Sequence, residues 1–131
     1  MKLSILFIVF SLLITTVSAD TITIRLIELF NSKQPKTAQG LNDVSKLISE
    51  FRYNSSDLLA TVPVSLPAKN QKVAIGDYQM TLNGNASKLK VTISKGKAVL
   101  LSTTVSISQK PVIVGSFPGG KGKKAFVFTK K

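Results

Sequence analysis

Beyond Asn54-Ser55-Ser56 the apolar residues of this chain recur at every second position, a spacing that a strand can bury on one face and a helix cannot. In Lys88–Ser94, Leu89, Val91 and Ile93 alternate with Lys90 and Thr92. In Ala98–Ser108, Val99, Leu101, Thr103, Val105 and Ile107 fall on one face. The same period governs Asp20–Phe30, where Ile22, Ile24 and Leu26 oppose Thr21, Thr23 and Arg25. Turn chemistry separates these runs. Pro63 confines Asp57–Leu66 to a sheet edge or a bulge. Pro67–Gln71 reads as a turn, Gly76-Asp77 divides Lys72–Ile75 from Tyr78–Leu82, and Asn83-Gly84 predicts a type I′ hairpin. Lys95-Gly96-Lys97 and Gln109-Lys110-Pro111 turn the chain again, and a Gly-rich loop, Ser116–Lys123, precedes a last strand, Lys124–Thr129.

One segment breaks the pattern. Leu41, Val44, Leu47, Ile48 and Phe51 stand at helical spacing, and Asn42 is placed to cap the helix start, so residues 41–52 are expected to form one packed helix after a polar loop, Asn31–Gly40. The expected fold is therefore mainly β (α+β), an antiparallel β-sandwich or partly open barrel of about eight strands with a single helix.

The chain has 131 residues, and its start reads as an export signal: Lys2, an apolar run from Leu3 to Val17, then Val17-Ser18-Ala19. The run is short for a membrane span, which needs about 20 apolar residues, and it contains Ser4, Ser11, Thr15 and Thr16. Cleavage after Ala19 leaves residues 20–131 as one β-rich domain with no transmembrane segment, located in the periplasm or outside the cell. The chain has neither Cys nor His, which removes disulfides, Cys/His metal sites, Cys nucleophiles and His-based triads. The domain must hold together by its core alone.

Charge is distributed unevenly. All six acids (Asp20, Glu28, Asp43, Glu50, Asp57 and Asp77) precede Tyr78, and ten Lys follow it. Such a field concentrates anions near the surface. Arg25 and Arg52 are the only arginines, so most of the basic charge is lysine, a hydrated point charge without the planar fork that reads phosphate. Few aromatics interleave with the lysines, which argues against specific nucleic-acid binding. If residues 57–129 form one up-and-down meander, the turns at Gly76-Asp77, Lys95–Lys97 and Lys121–Lys124 lie at one end. Lys95, Lys97, Lys121, Lys123 and Lys124 then cluster with only Asp77 to offset them, as a candidate site for anionic lipid, lipopolysaccharide or acidic polysaccharide. The plainer reading is that lysines decorate solvent faces and sheet edges for solubility.

Catalytic motifs are sparse. Gly115 to Gly122 matches G-x-x-x-x-G-K but lacks the following Ser/Thr, and strand rather than helix comes next, so it reads as a hairpin loop and not a phosphate cradle. Among the acids only Glu28 and Asp57 are placed for partial burial; Glu28 continues the inward register of Ile22, Ile24 and Leu26, and a rim carboxylate paired to Lys or Arg is its ordinary role. Neither an enzyme nor a cofactor is expected. Asn54-Ser55-Ser56 and Asn85-Ala86-Ser87 match the glycosylation acceptor and fall in surface turns.

Thr103-Thr104-Val105-Ser106-Ile107, the polar Gln109-Lys110, and Pro111-Val112-Ile113-Val114-Gly115 resemble the strand–turn–strand of secretin-type bacterial proteins, which build outer-membrane channels from ring-forming subunits. The likeness runs over residues 89–115 only; Ser116 stands where the family has a second Gly, and no membrane-inserting segment follows. It implies a small periplasmic domain accessory to an envelope assembly, not a pore. The function expected is protein binding or envelope assembly through a protein partner, by strand pairing at exposed edges, Asp57–Leu66 and Lys124–Lys131. The alternative is the polyanion-binding lysine end.

Overall fold

The computed structural model describes residues 20–131, so the expected export signal at residues 1–19 lies outside the described residues. Eight strands form two antiparallel four-stranded sheets: β1 (Asp20–Phe30), β2 (Ser55–Leu66), β3 (Ala68–Ile75), β4 (Tyr78–Asn85), β5 (Lys88–Lys95), β6 (Ala98–Val105), β7 (Val112–Gly119) and β8 (Gly122–Lys130). The first sheet has the order β2-β1-β8-β7 and the second β3-β4-β5-β6. The mainly β sandwich expected from the alternation is the architecture found. The single meander is not. Only β3 to β6 run up and down in one sheet, while β2 pairs with β1 and the β7–β8 hairpin returns to the first sheet.

Period two decides what is buried. Ile22, Ile24 and Leu26 of β1, with Phe126 and Phe128 of β8, meet Met80, Leu82, Leu89, Val91 and Ile93 of the second sheet in the main core. The opposite face of the first sheet is buried as well. Ile27 and Leu29 of β1 and Ala125 and Val127 of β8 are covered by Leu41, Val44 and Ile48. Those three come from residues 31–54, which cross over the sheet. Their helix is far shorter than residues 41–52: a 3₁₀ turn, Asn42–Val44, leads into a single α-helix, α1 (Ser45–Ser49). Asn42 makes no side-chain cap, and Arg52 leaves the helical region at φ +64°. So short a helix is stabilised by docking rather than by its own propensity. It extends only as far as the apolar patch beneath it, and Phe51 is left 38% exposed.

Three turns differ from expectation. Asn83-Gly84 lies inside β4, and the hairpin closes at Ala86-Ser87, where Asn85 Oδ1 accepts bonds from the Lys88 N–H (3.0 Å) and the Ser87 hydroxyl (2.8 Å). This register sets Leu82 opposite Val91 and Met80 opposite Ile93. A turn three residues earlier would set Met80 against Ser87, so cross-strand burial overrides the local turn signal. On β6 a bulge makes Leu100 the extra residue: Ile93 pairs with Leu101 and Ser94 with Val99, so Val99 joins the solvent face and is 66% exposed. In place of the expected Gly-rich loop, β7 runs through to Gly119, with a bulge at Gly115 (φ +77°), and only Gly120-Lys121 forms the turn. Pro67–Gln71 is likewise largely strand, made irregular by Asn70 at φ +48°. Thr103–Gly115 does not form one hairpin, because β6 and β7 belong to different sheets.

Candidate binding surfaces

Aromatic packing brings the turns at Gly76-Asp77 and Lys95–Lys97 towards the β7–β8 hairpin. Tyr78, which follows Gly76-Asp77, packs its ring 5.9 Å from Phe117 of β7 and 5.3 Å, edge-on, from Phe126 of β8. Lys95 Nζ stands 5.7 Å above that Tyr78 ring, and Lys124 is the register partner of Phe117. Lys97 is exposed in the β5–β6 turn. Lys123 pairs with Leu29, whose side chain belongs to the face beneath α1, so it projects from the other side of the first sheet. Lys121 is exposed but stands near an acid and an aromatic ring. Its Nζ lies 3.9 Å from Asp57 Oδ2 and 4.9 Å over the Phe30 ring.

The charge balance around these turns is also different. Register places Glu28 beside Asp57 on one flank and Lys124 on the other, so two further acids join Asp77 there. Asp57 is shared by Lys36 and Lys121, each at 3.9 Å. Glu28 is buried, and its Oε2 accepts the Lys121 backbone N–H at 3.1 Å. The Gly-rich turn therefore does hold an anion, one from its own chain. A Cβ at Gly120 would fall on the Glu28 carboxylate, and one at Gly122 on the Leu29 carbonyl, which explains why glycine occupies both positions. Nothing in sequence spacing joins residues 28, 57 and 121; strand register alone does so.

A second polar constellation fastens residues 31–54 to the first sheet. Arg25, buried on the outer face of β1, donates two bonds to the Asp43 carboxylate (2.9 and 2.8 Å), one to the Gly40 carbonyl (2.8 Å) and one to the Thr129 hydroxyl (3.0 Å). The hydrogen bonds from Arg25 hold the Asp43 carboxyl below its ordinary value, and the Arg25 charge adds to them against partial desolvation. Asn54, the first acceptor Asn, is engaged similarly: its side chain bonds both the N–H and the carbonyl of Ser32. Ser56 of that motif is buried, whereas Asn85 and Ser87 of the second are exposed. Among the described residues no group of three or more acidic side chains stands close enough to hold a metal ion.

Two other surfaces went unrecognised in the sequence. The expected edge at Lys124–Lys131 does not exist, because β8 lies inside the sheet between β1 and β7; the edges are β2, β7, β3 and β6. Of these, β6 carries no charge, proline or glycine in Ala98–Val105, and it exposes Val99 and Leu100. Adjoining it is the outer face of the second sheet, formed by Lys72, Ala74, Gln79, Thr81, Asn83, Lys88, Lys90, Thr92, Ser94, Ser102 and Thr104, all exposed or half-buried. Among the described residues, the segment that covers the first sheet has no counterpart here. No family model, curated protein or solved structure matches this chain.

Proposed function

We propose that this chain is an exported, non-enzymatic β-domain that binds a protein partner of the cell envelope by accepting an extended segment along β6. The observation that supports this reading is the contrast among the four edges. β2 contains Asp57 and Pro63, β3 contains Lys69 and Lys72, and β7 contains Gly115, Pro118 and Gly119, whereas β6 reads Ala-Val-Leu-Leu-Ser-Thr-Thr-Val. Charges, prolines and bulges are the usual means of blocking an edge, and from Leu101 to Val105 the β6 register is regular. An added strand gains main-chain hydrogen bonds and continues the half-buried row of Leu101, Thr103 and Val105 with its own apolar residues. The second sheet carries six Lys (69, 72, 88, 90, 95 and 97) and one acid, Asp77, so pairing β6 with a second copy sets like charges side by side. The favoured partner strand alternates apolar and acidic residues.

Site-specific photocrosslinking in cell envelopes tests this, with the photoreactive group at Thr104 on β6 and, separately, at Thr61 on β2. The expected product is a partner crosslinked from Thr104 and not from Thr61, lost in a Ser102→Pro variant that keeps its β circular dichroism, and changing little with salt. Crosslinks from Thr61, or a Thr104 crosslink indifferent to Ser102→Pro, would refute the assignment.

A further inference from the structure

We propose that the outer face of the second sheet, which no other described residue covers, docks with the tip of the β5–β6 hairpin on an anionic lipid bilayer. The proposal rests on a division of charge that is independent of the edge argument. Among the described residues there are four ion pairs, Arg25–Asp43, Lys36–Asp57, Lys121–Asp57 and Lys130–Asp20, and all belong to the first sheet or to the segment covering it. No lysine of the second sheet is in one. Lys72, Lys88 and Lys90 project from its outer face among short side chains such as Ala74, Thr92 and Ser102, which leaves a broad platform without an acid. Unneutralised lysines on a face of this kind are drawn to an anionic leaflet, each strengthening partition about fivefold.

The occupant is a bilayer rather than a nucleic acid or an acidic sugar polymer for two reasons. The face carries no arginine and no aromatic ring; Tyr78, the one aromatic residue of the second sheet, points inward. Bidentate phosphate reading and stacking on bases or sugar rings are therefore absent from its chemistry. At one corner, beside the exposed Lys97, Val99 and Leu100 present apolar side chains to solvent at 66% and 40% exposure. Cationic groups around exposed aliphatic ones suit the headgroup–acyl boundary, where the lysines meet phosphates and the aliphatic groups enter the apolar layer. A sugar polymer offers the aliphatic pair nothing.

Sedimentation with vesicles of phosphatidylcholine, with and without phosphatidylglycerol, tests this on the protein as recovered from cells. Binding is expected only with phosphatidylglycerol, weakening as salt is raised. The combined Lys72→Glu, Lys88→Glu and Lys90→Glu variant is expected to lose at least about a hundredfold in partition. The same reversal at Lys33, Lys36 and Lys46, on the covering segment, is expected to lose far less. Val99→Ser with Leu100→Ser weakens vesicle binding but leaves retention on dextran sulfate unchanged. Absence of binding to phosphatidylglycerol vesicles at low salt, equal losses for the two triple variants, or binding indifferent to the Val99 and Leu100 changes while dextran sulfate competes fully would overturn the proposal. Vesicle sedimentation reads the protein alone, whereas the Thr104 crosslink reads a partner polypeptide, so failure of strand addition and failure of membrane docking are distinguishable.

Discussion

Replacing Asp43 with alanine isolates the clamp that fastens residues 31–54 to the first sheet. The change removes two charge-assisted bonds to the Arg25 guanidinium (2.9 and 2.8 Å), while the bonds to Gly40 and Thr129 remain. Bonds to charged groups contribute about 1.5–3 kcal/mol each. The Asp43 side chain is 47% exposed, so water replaces part of what is lost. A net cost of about 2 kcal/mol follows, which lowers the melting temperature of a domain this size by about 8 °C. The pH dependence has a definite sign. Folding depresses the Asp43 pKa from its ordinary 3.8, so the stabilisation is fully present above that value and is lost as pH falls through the lower, folded one. Thermal melts of the parent, Asp43→Ala, Arg25→Met and the double variant, taken from neutral pH down to about pH 3, provide the assay. In the Arg25→Met background Asp43→Ala is expected to cost under about 0.5 kcal/mol, because no buried cation remains to be stranded. Additive costs, or a parent and an Asp43→Ala variant that lose stability in parallel below pH 4, would refute this account of the clamp.

Gly120→Ala strains a residue at φ +59° and pushes the Glu28 carboxylate off the Lys121 N–H, so a loss of about 1–3 kcal/mol is expected in urea unfolding. Leu29→Ala is expected to cost about 2–5 kcal/mol although its side chain faces away from the partner sheet, because the covering segment buries it fully. Denaturant midpoints of that variant check the second core directly.

How far the fold was legible depends on the distance over which each signal acts. Asp20–Phe30 was readable to the residue, since Ile22, Ile24 and Leu26 alternate with polar residues and no turn chemistry interrupts the run. The helix was overextended because Leu41, Val44 and Ile48 carry the docking signal, and Phe51 merely continues the period past the patch it would need. Asn83-Gly84 misled for the opposite reason: a strong local turn preference lost to the pairing of Leu82 with Val91. Counting turns assumed one meander, whereas β7 and β8 belong to the other sheet, and the acids set near those lysines, Glu28 and Asp57, come from strands distant in sequence.

Composition and periodicity by themselves determined the β class, the inward face of most strands, the lack of thiol and imidazole chemistry, and the gathering of lysine beyond Tyr78, because each is a local property of the chain. Tertiary structure decided which sheet each strand joined, that β8 is interior and β6 is left as the unguarded edge, and that the ion pairs among the described residues fall on one sheet and its covering segment while the lysines of the other sheet face water. Those outcomes depend on pairings between segments far apart along the chain, where burial of whole faces outweighs the preference of any single turn.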